Sequence, residues 1–309
     1  MKQLLLAGAA VAVATGAASA KDLNSIGITL GTLGNPFFVA LSQGAEAKAK
    51  EINPNVTVST ASADYDLNKQ FTQIDNFIAS GVDMILLNAA DAQAIAPAVK
   101  RAQAAGVVVV AVDVAAAGAD ATIQTNNTQA GTIACQFIAD KLGADGGKVI
   151  IQNGPQVGAV IERVKGCKEV LAQNPKIEIL SDDQNGKGDR EGGMNVMQGH
   201  LTRYPELDAV FTINDPQAVG SDLAAKQLGR SEFIITSVDG APDIETALKG
   251  NTLVQASASQ DPYAIAQMAV EVGYKIMNGE KPADPMILLP SVLVTRDNVG
   301  DYKGWSAPR

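Results

Sequence analysis

The sequence predicts an α/β fold of two similar lobes, each a parallel sheet flanked by helices. Three observations predict it. From Ser25 onward, short β-branched apolar runs alternate with longer amphipathic stretches, the pattern of βαβ units whose sheet is covered on both faces. One strand ends at Asn88 and the next at Asp113, and Asn214 and Asp239 repeat that pair at the same separation, as two related domains would. A chain of 309 residues is also long enough to build two cores.

In chain order, the first half reads as strands IGITL, VTVST, MILLN, VVVVAVD and ATIQT, with helices over 36–51, 67–80, 94–105 and 128–142. The second half repeats the scheme with KVIIQN, IEILS, AVFTIN, IITSVD and LVQASAS, and with helices over 160–174, 190–204, 217–228 and 263–278. Gly81, Gly106 and Gly229 follow three of these helices, where a left-handed residue is wanted. Crossovers between lobes are expected at Asn126-Asn127, at Gln260-Asp261-Pro262 and at Leu289-Pro290. The lobes are then 21–125 with 261–289, and 126–260 with 290–309. Several crossing segments make a hinge, and hinged domain pairs close on ligands.

Residues 1–20 carry Lys2, an apolar run of small residues and an Ala18-Ser19-Ala20 cleavage site, which reads as a secretory signal peptide. The run Leu4–Ala14 is shorter than the ~20 residues a membrane span takes. The expected location is therefore the periplasm. Hydrophobic residues at 46% and charged ones at 18% are ordinary globular usage, and a net charge of −9 repels phosphate backbones, so nucleic acid is not an expected partner. One histidine and two cysteines cannot build a structural zinc site, and neither metal nor cofactor is expected. His200 reads as part of a polar helix end. Export would allow Cys135 and Cys167 to form a disulfide, but both fall in apparent helices where buried thiols fit as well; both readings stay open. The glycine-rich stretches GADGGKV and GKGDREGG lack phosphate-loop and dinucleotide spacing. SDDQNGKGDREG has Gly192 where a calcium loop needs Glu, and reads instead as a polar loop at a cleft edge.

Small polar or amide residues stand at the strand ends: Asn35, Asn88, Asp113, Thr125 with Asn126, Asn214, Asp239 and Gln260. In open parallel sheets the ligand crevice lies outside the carboxyl ends of the strands, so these side chains should converge. Amides and carboxylates offer paired hydrogen-bonding atoms that suit vicinal hydroxyls. Phe37 and Phe38 add apolar surface for the C–H face of a sugar ring, and Arg163 adds a permanently charged fork of donors. Asn and Asp after a strand are also ordinary helix N-caps, which competes with this reading at each position.

The stretches GTLGNPFFVALSQGAEAKAKE, ILLNAAD, VVVAVD, QTNNTQAG, ERVKG, NVMQ, FTINDPQAVG, SVDGAPD and SQDP resemble the ribose-type periplasmic sugar-binding proteins of ABC transporters. The resemblance runs in order over nearly the whole chain after residue 20. It implies the type I periplasmic binding protein fold, with the sugar site at the positions of Asn35, Phe37, Phe38, Asn88, Asp113, Arg163, Asn214, Asp239 and Gln260. Ribose-binding members have Arg directly after the aspartate matching Asp113, where this chain has Val114, and aromatics near the positions of Gly188 and Val238. TINDPQAVG, SVDGAP and ASASQDP look more similar to fructose-type members, so the resemblance implies a pocket different from or roomier than the ribose-binding one, for a ketose, another monosaccharide or a sugar alcohol. It also implies a monomeric, non-enzymatic protein that delivers its ligand to a membrane permease, with a chemoreceptor as a compatible second partner. Two alternatives stand beside it. An exported α/β enzyme would need a nucleophile, a base and an oxyanion site, and no matched set is found. A sugar-sensing repressor-like domain would need a DNA-binding module where the export signal stands.

Overall fold

The computed structural model describes residues 21–305; the signal-peptide reading of residues 1–20 lies outside the described residues. The first sheet contains β1 (Ser25–Leu30), β2 (Thr57–Ser62), β3 (Met84–Leu87), β4 (Val108–Val112), β5 (Ala121–Thr125) and β11 (Met286–Leu289), in the order β2-β1-β3-β4-β5-β11. The second contains β6 (Gly147–Gln152), β7 (Ile177–Ser181), β8 (Ala209–Thr212), β9 (Ile234–Asp239), β10 (Val254–Ser259) and β12 (Val292–Thr295), in the order β7-β6-β8-β9-β10-β12. The two orders trace the same path. Asn88 and Asp113 therefore follow the third and fourth strands of one sheet, and Asn214 and Asp239 stand at the ends of their counterparts in the other.

The helices are α1 (Pro36–Ile52), α2 (Leu67–Ala79), α3 (Ala96–Ala104), α4 (Asn127–Leu142), α5 (Gly158–Leu171), α6 (Arg190–Arg203), α7 (Asp215–Gln227), α8 (Pro242–Lys249) and α9 (Pro262–Met277). In the first sheet, α1 and α9 cover one face and α2 and α3 the other; in the second, α4 and α5 lie opposite α6, α7 and α8. Four apolar layers result. Because helices take both faces, β3 and β8 are buried over their whole length and are apolar but for Thr212 at the end of β8, whereas the edge strand β2 is largely open. Gly81, Gly106 and Gly229 do adopt left-handed φ values of 68°, 83° and 66° after their helices.

The structure corrects the sequence reading in three places. The first sheet is parallel throughout, but the second is not: β12 runs antiparallel to β10. Only Pro290 and Ser291 separate β11 from β12, and the carboxyl ends of the two sheets face one another. A strand that passes straight through therefore runs with β5 and against β10. The four-residue strands β11 and β12 and the eight-residue α8 were not expected; elements this short carry little periodicity. His200 lies in the last turn of α6 but is buried, with its ring stacked 6.0 Å from that of Tyr204.

Cys135 and Cys167 form a disulfide, which settles the open alternative. It joins α4 to α5, and these helices approach closely because Gly131 and Gly166 have no side chains. A Cβ on Gly131 would strike the Arg163 carbonyl, and one on Gly166 the Thr128 carbonyl. The bond closes a sequence separation of 32 residues, for which loop-closure entropy gives about 3–4 kcal/mol. Replacing both cysteines by alanine is expected to remove most of that from the unfolding free energy. The check is the denaturation midpoint, with reduced wild type unfolding like the variant.

Candidate functional site

Segments that follow strands of both sheets meet around a cavity of about 60 Å³. From the first sheet come Asn35, Phe37, Phe38, Tyr65 and Asp113; from the second come the segment around Pro155–Val160, Arg163, Asn214 and Asp239; Gln260 lies at a crossing between sheets. Convergence follows from topology. In each sheet the chain leaves β1 or β6 toward one edge and returns to the other side, which opens a crevice where the strand order reverses.

Asn35 and Asn214 both cap helices and line the cavity, so the two readings weighed for them are compatible. Asn35 Oδ1 accepts from the Phe37 N–H at 2.9 Å to start α1. Asn214 Oδ1 accepts from the Gln217 N–H at 3.2 Å to start α7, while its Nδ2 donates to the Gly188 carbonyl at 2.8 Å. Capping fixes where α1 begins, and so places Phe37 and Phe38 in its first turn. Their rings meet edge to face at 5.3 Å, each only 3% exposed, and Tyr65 packs against Phe38 at 6.5 Å. Aromatic walls of this kind suit the apolar face of a ring.

The charged centre is built differently. Arg163 projects from α5, donating through Nε to Asn127 Oδ1 and through Nη1 to the Ile213 carbonyl, each at 2.9 Å. Nη1 also lies 3.5 Å from Asp239 Oδ1, which accepts from Gln260 Nε2 at 2.6 Å. Asp113 accepts from Asn88 Nδ2 at 2.9 Å. Neither aspartate caps a helix. Both hold φ values rare for side-chain-bearing residues, 66° at Asp113 and 140° at Asp239, as does Tyr65 at 58°. Such backbone persists only where surrounding structure enforces it, and it clusters at ligand clamps.

Burial dominates the electrostatics. Desolvation raises the Asp113 carboxyl to about 6, against the opposing pull of Arg163 and with help from the nearby Asp239. Asp239 is likewise raised to about 6 by desolvation, opposed by Arg163 and by its hydrogen bond from Gln260. Beneath it, burial and the Asp239 charge hold Asp215 well above the usual carboxylate range, although Ser237, Ser257 and the Ala241 N–H all donate to it. Gln260 Oε1 is buried without a hydrogen-bond partner. Two carboxylates, one guanidinium and an unpaired amide oxygen make a centre that hydroxyl groups, which both donate and accept, are suited to complete.

Two expected residues do not line the cavity. Asn88 stands behind Asp113 as its donor, and its own carbonyl is held by Gln70 Nε2 at 2.8 Å. Thr125 is fully buried at the end of β5, its carbonyl accepting from Asn127 Nδ2; the neighbouring Asn126 caps α4. Side chains alternate faces along a strand, so one residue decides whether a group meets the core or the cleft. Of the three departures noted in the sequence, only Gly188 borders the cavity. Val114 packs in the core under α2 and α3, and Val238 in that under α4 and α5. The sequence reading missed Tyr65 and the Pro155–Val160 segment. Both follow strands, β2 and β6, so the rule that found Asn88 would have found them. The loop 181–192 does lie at the cleft edge, where Lys187–Arg190 face Gly34–Pro36.

The chain matches the family model described as the periplasmic binding protein domain over residues 26–281. It is 35% identical to the ribose import binding protein of Salmonella typhimurium, covering 91% of this chain and 94% of that protein. It is 30% identical to the xylitol-binding protein of Mycolicibacterium smegmatis, over 91% of this chain and 80% of the other. A solved ABC transporter periplasmic solute binding protein from Actinobacillus succinogenes 130z with bound D-allose superposes with a TM-score of 0.83 at 26% identity, covering 90% of this chain and all of that one.

A pH dependence follows from the two raised carboxyls. Each binds its proton more tightly in the fold, at about 6, than at its ordinary 3.8. The stability each contributes is therefore complete below 3.8 and is lost as pH rises through about 6. Without added ligand, the melting temperature is expected to lose this contribution between pH ~4 and ~7. Asp113→Asn and Asp239→Asn should each flatten the slope, as read by calorimetric scans across that range.

Proposed function

The chain belongs to the periplasmic binding protein domain family, and we propose that it captures a monosaccharide or sugar alcohol between two lobes and delivers it to the permease of an ABC importer. The observation that carries this reading is the buried group of Asp113 and Asp239, one from each sheet, around Arg163 and beside Phe37 and Phe38. No bond is made or broken. Asn35, Phe37, Phe38 and Asp113 form a platform on the lobe 21–125 with 261–289, and Asn88 orients Asp113 from behind. Arg163, Asn214 and Asp239 form the latch on the lobe 126–260 with 290–309.

A ligand bridging both sets binds the closed arrangement better than the open one and shifts the population by that difference. The three crossing segments act as the hinge, and the closed form is the one presented to the permease. In this reading residues 1–20 are cleaved on export to the periplasm, and the mature protein works as a monomer; docking to a chemoreceptor would use the same closed form. The ribose and xylitol of the relatives and the D-allose of the structural neighbour set the range to search.

The test is a thermal-shift panel on ligand-stripped mature protein with D-ribose, D-allose, xylitol, ketoses, other polyols and amino acids. A compound at ~100 times its dissociation constant adds about 2.7 kcal/mol, a visible rise in melting temperature. A rise with a sugar or polyol supports the reading; a response confined to amino acids overturns the ligand class. Asp239→Ala is expected to weaken binding of the responding compound more than ~10-fold by calorimetry, because it strips a buried charged acceptor from its donors. Unchanged affinity would remove Asp239 from the latch.

A further inference from the structure

Residues 301–305 extend beyond the last strand and return to the cleft from behind. Asn298 and Val299 still belong to the second lobe, where Val299 packs in the core under α6, α7 and α8. Tyr302 then donates its hydroxyl to the Gly240 carbonyl at 3.0 Å, directly after Asp239. Gly240 is left-handed at 73°, and a Cβ there would strike that hydroxyl, so tyrosine and glycine fit as a pair. Gly304, also left-handed at 63°, turns the chain. Trp305 then enters the apolar core of the first lobe with only 8% of its surface exposed.

There the indole does two things. Its Nε1–H donates to the Gln260 carbonyl at 2.9 Å, and its ring packs edge-on to Phe37 at 5.7 Å. Gln260 is consequently held at three points: by Trp305 at its carbonyl, by the Asp239 carbonyl at its N–H (2.8 Å), and by Asp239 Oδ1 at its side chain. Phe37 and Gln260 line the cavity, whereas Trp305 does not. The segment starts in one lobe and seats its last described residue in the other, so it spans the hinge as a fourth, noncovalent connection beside the three covalent crossings.

We propose that Asp301–Trp305 is a strap that ties the two lobes in the closed arrangement, with Trp305 as a positioning residue for Phe37 and Gln260. The ligand-affinity part of this rests on reading the cleft as a sugar or polyol site. The strap itself does not. Opening the lobes must either carry Tyr302 and Gly240 away from Trp305 and Phe37 or draw Trp305 from its seat, so the strap favours closure before any ligand arrives.

Trp305→Phe fills the apolar seat but offers no N–H to the Gln260 carbonyl. Calorimetry with D-ribose, D-allose and xylitol is expected to show about tenfold weaker binding of the sugar that binds wild type, with little change in melting temperature. A lowered melting temperature with unchanged affinity would mean that Trp305 only fills space, and overturns the positioning role. A second arm needs no sugar. Trp305 is the chain's one tryptophan, so its fluorescence reports the strap directly. Tyr302→Phe should make it more accessible to acrylamide, and small-angle scattering should show Trp305→Ala with a larger radius of gyration than wild type. Unchanged quenching and an unchanged radius overturn the strap. If none of the three sugars binds wild type, that failure belongs to the reading of the cleft, and quenching and scattering still decide the strap. If Trp305→Ala does not fold, quenching and scattering of Tyr302→Phe carry the same decision.

Discussion

Two carboxylates must share one guanidinium in a place that water barely reaches. Asp113 comes from one sheet, Asp239 from the other, and Arg163 stands with its side chain 6% exposed beside them. Burying one ionised carboxylate without a partner is costly, and burying two around a single cation leaves one negative charge in excess. The raised carboxyls express that imbalance. Much of the surrounding structure can be understood as answering it: Asn88 donates to Asp113, Gln260 donates to Asp239, and Ser237, Ser257 and the Ala241 N–H donate to the buried Asp215 beneath. A neutral molecule rich in hydroxyls can supply donors to the charged oxygens and acceptors to the guanidinium at once. That is the physical link between the electrostatics of the cleft and the choice of a sugar or polyol.

Holding Arg163 in place is the task of the two most closely packed helices. Gly131 and Gly166 let the α4 and α5 backbones touch, and the Cys135–Cys167 disulfide binds the pair nearby. Arg163 and Cys167 lie one helical turn apart on α5, so the contact that fixes one constrains the other. Asn127, in the first turn of α4, then lies where its Oδ1 receives the Arg163 Nε–H. A cytosolic protein would rarely keep such a bond, and its presence agrees with the export proposed for this chain.

Both lobes use the same device to present the groups that line the cavity. A buried parallel strand ends, the backbone turns sharply, and a short polar side chain is left facing the opposite lobe. Helix capping accompanies this at Asn35 and Asn214, while the left-handed backbone at Asp113 and the unusual φ at Asp239 turn those carboxylates without capping. Strain of this kind is tolerated because the buried strands β4 and β9 fix the chain that leads into it. The cavity between the lobes is thus a consequence of one sheet topology used twice.

The alternation of elements, the glycine helix ends and most polar strand ends were legible in the sequence, because each depends on local chemistry: β-branched runs form strands, glycine tolerates left-handed backbone, and small polar residues end strands where helices begin. The repeat of Asn88 and Asp113 as Asn214 and Asp239 showed two related halves before any coordinate did. What needed the tertiary structure was everything set by contacts between distant segments. These were the pairing of Cys135 with Cys167, the antiparallel course of β12, the withdrawal of Asn88 and Thr125 from the cavity, and the return of Trp305 to Phe37. Local sequence records which residue can end a strand. Which side of the strand faces the cleft, and which remote residue meets it there, is decided by how the two sheets are packed and joined.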